Sequence, residues 1–152
     1  ELQEKADRVD DALCATRAAV EDGIIAGGGI GLSNAAENFV CETDHPDQSM
    51  GHSIVSKACF EPFNAIVRNA GKSPQAIRQT LINSYASDHA GYDARNDEFV
   101  NMMDAGIIDP AKVTLTALEL AASAAGTLLT TECVVGINPE ADEEEKKPQY
   151  MM

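Results

Sequence analysis

The chain has 152 residues, of which 44% are hydrophobic and 5% aromatic, and it carries a formal net charge of -14. This length suits one domain with a sizeable core. The acidity argues against nucleic acid or an anionic membrane as a partner, because both attract clustered Lys and Arg. Alanine and small aliphatic residues supply most of the apolar surface, so we expect a mainly α fold.

Four cysteines are scattered along the chain without a CxxC pair: Cys14, Cys41, Cys59 and Cys133. Nothing in the sequence resembles a secretory signal or a long apolar span. We therefore expect reduced thiols in a cytosol-like compartment. Because the first residue is Glu1 rather than Met, we also expect the chain to be part of a longer product.

Residues 2–20 predict an amphipathic helix, because one arc of the helical wheel collects Leu2, Ala6, Val9, Leu13, Thr16 and Val20. Asp11 lies on the opposite face with small neighbours, Cys14 and Ala15, one turn further on. Asp11 is either a solvated acid or a carboxylate that a ligand can approach closely.

The stretch "GIIAGGGIGL", residues 23–32, separates that helix from a second one predicted over residues 29–40. Gly23 suits a helix C-terminus, but Glu21 and Asp22 oppose the helix dipole there, so another group must hold this end. The dinucleotide fingerprint fails because Leu32 occupies its last glycine position, and no Gly-Lys-Ser/Thr completes a P-loop. The three central glycines either receive a ligand on free amides or allow a tight turn and close packing.

Residues 41–51 predict a surface loop broken by Pro46, and the flanking His45 and His52 lack the spacing of metal ligands. Residues 52–70 predict two short helices joined at Pro62 and ended by Gly71. The Ser73-Pro74 pair opens a further helix to about residue 85.

Residues 87–110 predict a long irregular loop with one helical turn, a kind of segment that is often functional. Asp109 is predicted to cap a helix over residues 110–128. Residues 132–137 predict one short strand, whose partner must come from elsewhere in the parent chain or from another subunit. The acidic run after Pro139 predicts a solvated tail.

Three stretches together resemble group I chaperonins, the GroEL-like family: "RVDDALCATRAAVEDGIIAGGGIGL", "GYDARNDEFVNMMDAGIIDPAKV" and "ALELAASAAGTLLTTECVV". The likeness covers nearly the whole chain in order. It implies the C-terminal part of a subunit: an intermediate-domain helix over residues 1–22, the C-terminal half of the helical equatorial ATP-binding domain over residues 23–138, and an acidic flexible tail over residues 139–152.

The resemblance also implies roles for individual residues. Asp11, in "RVDDAL", corresponds to the aspartate that orients or activates the hydrolytic water once the intermediate domain swings down. The backbone of Gly28 corresponds to the contact with ribose and base. For the rest of the nucleoside the family pattern implies four residues: Asp93 and the backbone of Ala94 at the adenine edge, Ile107 on the base, and Asp109 at the ribose hydroxyls. Asp93 replaces the Asn of many bacterial members, which removes a side-chain donor.

The family binds ATP and Mg²⁺, but its phosphate- and magnesium-binding loop and its apical domain have no counterpart in this sequence. We therefore expect the metal ligands in an N-terminal half, and an isolated fragment that is inactive. The tail lacks the Gly-Met repeats of many members. Implied partners are other subunits in a homo-oligomeric ring, together with a co-chaperonin and unfolded proteins at the apical domain, in the cytoplasm or an organelle matrix.

The leading hypothesis is thus a part of an ATP-dependent chaperone that assists protein folding. The alternative is a stand-alone acidic helical interaction module, a truncated chaperonin paralogue without ATPase activity. An acidic helical binding domain without any nucleotide is a third possibility, reached from composition and periodicity alone.

Overall fold

The computed structural model describes residues 1–85 and 87–136, which contain six α-helices and four short strands. The helices are α1 (Leu2–Asp22), α2 (Ile30–Asn38), α3 (Pro46–Cys59), α4 (Glu61–Asn69), α5 (Pro74–Ser84) and α6 (Ala111–Leu129). The strands are β1 (Ile24–Ala26), β2 (Ala90–Asp93), β3 (Glu98–Asn101) and β4 (Ile108–Pro110). The mainly α prediction is confirmed.

Helix α1 ends at Gly23, as predicted, with φ at 83° and the Gly23 N–H donating to the Ala19 carbonyl at 2.9 Å. The group that offsets the unfavourable acids at this end is Lys112, whose ammonium pairs with the Glu21 carboxylate. Because Lys112 lies in the first turn of α6, this ion pair links the two longest helices.

Strands β1 and β4 form an antiparallel pair in which Ile25 lies opposite Asp109. The pairing continues beyond the strands, because the Ala111 N–H donates to the Gly23 carbonyl at 3.1 Å. Helices α1 and α6 therefore leave the same short sheet, and α1 packs along α6 and β4. Sequence periodicity did not reveal β1, because three residues are too few to show an alternation.

The prediction of an irregular loop over residues 87–110 is wrong. Strands β2 and β3 form an antiparallel hairpin, in which Tyr92 lies opposite Phe99 with ring centroids 5.6 Å apart. Such cross-strand aromatic pairs stabilise a short hairpin. The Asp97 carboxylate reinforces this one: it accepts from the Tyr92 hydroxyl at 2.7 Å and pairs with the Lys72 ammonium at 2.6 Å. Those two donors lower the pKa of Asp97.

The hydrophobic core joins the hairpin to α2, α4 and α5. Its buried members are Ala26, Ile30, Phe63, Val67, Leu81, Tyr92 and Met102. No residue of α1 or α6 is buried, and large apolar side chains on both helices are open to solvent, including Leu13, Val20, Leu120 and Leu128. The two longest helices therefore present apolar faces that the described residues leave uncovered.

Three further predictions are corrected. Helix α3 begins at Pro46, inside the predicted 41–51 loop, because proline fits the first helical turn and extended His45 precedes it. Asp109 is not an N-cap: it belongs to β4, and α6 follows Pro110 without a side-chain cap. Residues 132–136 form no strand, since no partner ladder pairs with them within the described residues; Ile137 and the predicted 139–152 tail lie outside those residues.

The remaining helix predictions are confirmed, including the starts at Pro62 and Pro74 near the first turns of α4 and α5. All four cysteines are free thiols, but only Cys59 is buried, where burial raises its pKa. In the described part of the chain, no helix combines the length and apolar character that a bilayer crossing requires.

Candidate functional site

The glycine triplet forms a turn packed tightly against two other segments. The Gly27 N–H donates to the Ile107 carbonyl at 2.9 Å, and a Cβ at Gly27 would lie 3.0 Å from that carbonyl carbon. Gly28 and Gly29 have φ of 65° and 80°, and a Cβ at Gly29 would lie 2.6 Å from the Phe63 nitrogen. The structure therefore supports the tight-turn alternative for Gly27 and Gly29, and the Gly27 amide is already engaged.

An open cleft of about 400 Å³ lies beside this turn. Gly28, Gly29 and Asp109 line it together with apolar residues from α2, α4, β1 and α6, among them Ile25, Leu32, Pro62, Ile66, Val113 and Ala117. Gly28 and Asp109, which are far apart in the sequence, thus meet in one cavity. The pairing of β1 with β4 brings them together.

Asp109 is the acidic side chain of this cleft. It is half-buried, and burial raises its pKa. Among the described residues, no side-chain or backbone donor is hydrogen-bonded to its carboxylate. A carboxylate can accept about four hydrogen bonds, so the acceptor capacity of Asp109 is open to a ligand with hydroxyl or amine donors.

Asp93 and Ala94 lie at the end of β2, outside the lining of the cleft. The Asp93 carboxylate accepts from the Arg95 N–H at 2.8 Å and from the Asn96 side-chain amide at 2.7 Å. The Arg95 N–H bond is the main cause of the lowered pKa of Asp93. Asp93 therefore closes its own hairpin turn, while Ala94 packs against the core.

Ile107 joins the site through its backbone. Its N–H donates to the Met102 carbonyl at 2.8 Å and its carbonyl accepts from Gly27. The half-buried side chain packs against the core two residues before Asp109. Gly27 and Met102 are the site-forming residues that sequence reasoning missed. The glycine triplet itself was a signal for Gly27, whereas no periodic pattern marks Met102.

Asp11 is the predicted site residue on α1. It is exposed on α1 and does not line the cleft. From Asp11 to Asp22 the helix rises by about 17 Å. Cys14 beside it is exposed and Ala15 is half-buried, so the surroundings of Asp11 stay open. The structure thus brings Gly28 and Asp109 together in the cleft, with Ile107 bonded to the glycine turn beside it, and leaves Asp11, Asp93 and Ala94 outside the cleft lining.

Within residues 1–85 and 87–136, no three His, Cys, Asp or Glu side chains cluster closely enough to hold a metal ion. His45 immediately precedes α3, and His52 lies within it with its ring 5.1 Å from that of Phe39.

Comparison of the sequence with known proteins identifies the family of the chain. Residues 1–139 match the TCP-1/cpn60 chaperonin family. The chain is 48% identical over 145 residues to "Chaperonin homolog Hsp-60, mitochondrial" of Caenorhabditis elegans, an alignment that covers 93% of this chain and 25% of that protein. The chain thus spans about a quarter of the length of this relative. With nearly its whole length matched, the chain belongs to the TCP-1/cpn60 chaperonin family, as a member of the group I type.

Proposed function

We propose that the chain is the C-terminal part of an ATP-hydrolysing chaperonin subunit that assists protein folding in a ring. Family membership and the coverage of only 25% of the relative support this proposal. The uncovered apolar faces of α1 and α6 support it as well, because helices of a complete domain bury such faces against neighbours. On this proposal, residues 1–22 form the intermediate-domain helix and the residues from Gly23 onward belong to the equatorial domain.

The observation that carries the proposal is the shared cleft of Gly28 and Asp109. A nucleoside fits these residues chemically. Ribose hydroxyls are donors, and the Asp109 carboxylate offers unused acceptor sites in a half-buried position. Gly28 lines the cleft through its backbone alone, because a Cβ there would lie 2.8 Å from Met102 Cε, and this backbone can contact the sugar and base. Asp109 then fixes the ribose, and Gly28 bounds the cleft beside it.

By the family resemblance, Ile107, Asp93 and Ala94 form the adenine end of the site. Ile107 packs on the base, and the backbone of Ala94 contacts its polar edge. The Asp93 carboxylate is mostly engaged by Arg95 and Asn96. Asp93 therefore acts chiefly by holding Ala94 in place, with spare acceptor capacity toward the exocyclic amine of adenine.

In the chemical step, the Asp11 carboxylate orients or activates the hydrolytic water. Phosphoryl transfer needs a positioned nucleophile, with most of the remaining barrier lowered by metal and electrostatic stabilisation. When bound, Mg²⁺ would supply that charge neutralisation, and its ligands would belong to the N-terminal half of the subunit. Asp11 reaches the site when α1 rotates about Gly23.

The partners follow from the same proposal. Other copies of the subunit complete the ring, and an apical domain outside this sequence binds co-chaperonin and unfolded proteins. We place the protein in an organelle matrix, since the relative is described as mitochondrial; the cytoplasm is the other compartment compatible with free thiols.

Titration of the full-length subunit with ATP and Mg²⁺ tests the proposal. Loss of a hydrogen bond to a charged group costs about 1.5–3 kcal/mol, so Asp109→Ala should raise the Kd for ATP at least about tenfold. Asp104→Ala is the matched control, because Asp104 is an exposed acid in the preceding turn. An unchanged Kd in Asp109→Ala would make Asp109 a structural residue only. Absence of ATP binding in the full-length subunit would instead favour the interaction module without ATPase activity.

A further inference from the structure

Met102 connects the segments that carry the proposed nucleotide contacts. It is 1% exposed and, with Val67, is one of the two largest fully buried side chains among the described residues. Its N–H donates to the His89 carbonyl and its carbonyl accepts from the Ile107 N–H, both at 2.8 Å. Met102 therefore ties the segment before β2 to the one that leads into β4.

The Met102 side chain fills the space between two glycines. A Cβ on Gly28 would lie 2.8 Å from Met102 Cε, and a Cβ on Gly91 would lie 2.5 Å from both Cγ and Sδ. The thioether chain is thus inserted between the turn of the triplet and strand β2. An unbranched, polarisable side chain suits such a narrow space between two backbones.

We propose that Met102 is a positioning residue of the nucleotide site, one that sets the separation between Gly28 at the ribose end and β2 at the adenine end. The inference rests on the proposed nucleotide-binding function. Met102 touches no ligand itself. It acts through Gly28, through Gly91 two residues before Asp93, and through the backbone of Ile107, so its loss lets these segments move toward one another.

The test measures ATP and GTP binding by the full-length subunit with Met102→Ala, with Val67→Ala as the control. Both substitutions empty part of the same core, but Val67 lies on α4 and has no part in the nucleotide contacts. Met102→Ala should raise the Kd for ATP at least about tenfold, the same change expected when the hydrogen bond between the ribose and Asp109 is lost. Val67→Ala should change it by less than about twofold.

The selectivity for ATP over GTP distinguishes a positioning role from a general loss of stability, because a general loss of stability would leave this selectivity unchanged. Because β2 carries the adenine end, Met102→Ala should lower the ratio of the Kd for GTP to the Kd for ATP, and Val67→Ala should leave that ratio unchanged. Met102→Leu conserves volume and should restore both quantities to near the wild-type values. If Met102→Ala does not fold, Met102→Val, which also removes the atoms that reach Gly28, replaces it.

The outcomes separate the two proposals. If wild-type subunit binds no ATP, the proposed function is wrong. If it binds ATP and Met102→Ala or Met102→Val behaves like Val67→Ala in both Kd and selectivity, only the positioning role is wrong.

A double variant gives a second check, on the contact between Met102 and position 28. Met102→Ala removes the atom that an alanine at position 28 would strike, so Gly28→Ala should cost less affinity in that background than in wild type, and equal costs would overturn the proposed contact.

Discussion

Ile25 and Asp109 lie opposite each other across the antiparallel pair of β1 and β4, and both line the cleft. Directly opposed residues of an antiparallel pair share one face of the sheet. The apolar Ile25 side chain therefore helps to exclude water from the Asp109 carboxylate, whose pKa is raised by burial.

The raised pKa makes ionised Asp109 a source of instability. The penalty is absent below the ordinary Asp pKa of 3.8, grows as pH rises through the raised pKa, and is complete above it. Asp109→Asn should therefore increase the free energy of unfolding near neutral pH, and the gain should vanish in acid. Urea unfolding followed by circular dichroism measures this gain in the free energy of unfolding.

Ile25→Ala should move the Asp109 pKa back toward its ordinary value, because water then reaches the carboxylate, and an NMR titration measures this pKa. An unmoved pKa would contradict the role of Ile25.

Two glycines with similar backbone angles should respond differently to alanine. Gly29 and Gly106 have φ of 80° and 70°, but an added Cβ meets the Phe63 backbone at Gly29 and nothing within 4 Å at Gly106. Gly106→Ala should cost about 1–2 kcal/mol of unfolding free energy, from left-handed strain alone. Gly29→Ala should cost about 3 kcal/mol or more, because backbone must also shift. Equal losses in chemical denaturation would show that α4 yields to the added methyl.

The proposed role of Asp11 predicts that turnover and binding respond differently to its loss. In the full-length subunit, Asp11→Ala should lower the ATP turnover rate about 10²- to 10⁴-fold, the usual contribution of general acid–base catalysis. The Kd for ATP should stay within about twofold of wild type, as expected for a residue with no ground-state contact. Asp10→Ala is the control, since Asp10 is an exposed acid on the same helix. Similar turnover in both variants would remove Asp11 from the mechanism.

The uncovered face of α6 predicts self-association of the isolated chain of 152 residues. Leu120 and Leu128 are 65% and 68% exposed, and their spacing of eight residues places them on one side of the helix. Leu120→Lys combined with Leu128→Lys should shift sedimentation toward the monomer, whereas Ala122→Lys, at an exposed position on the opposite side of the helix, should have little effect.

The same pair of substitutions should impair folding of the full-length subunit, in which we expect this face to be covered. Normal assembly of that variant would show that the face stays free in the subunit.

The helices could be predicted from the sequence because their signals lie within one element. The period of α1 and α6, Gly23 at a helix end, and proline at the starts of α4 and α5 all act locally. Sequence reasoning failed where pairing partners are distant in sequence: Ile24–Ala26 is too short to show alternation, and its register depends on Ile108–Pro110. The candidate site divides in the same way. The glycine triplet could be identified, but the cleft it shares with Asp109 could not be derived without the resemblance, because a non-local strand pair creates it.

In the proposed rotation about Gly23, α1 would leave its packing against α6 and β4 and act as a lever. The Gly23 carbonyl is held by the Ala111 N–H, so the fixed end of the lever lies at the edge of the sheet that brings Gly28 and Asp109 together. With about 17 Å of helix between Asp11 and this end, a rotation of about 20° displaces the Asp11 backbone by about 6 Å. A small change of angle at Gly23 would therefore move the Asp11 carboxylate by more than the length of a hydrogen bond. On the proposed motion, the length of α1, together with the chemistry of Asp11, would determine how far that carboxylate moves for a given rotation.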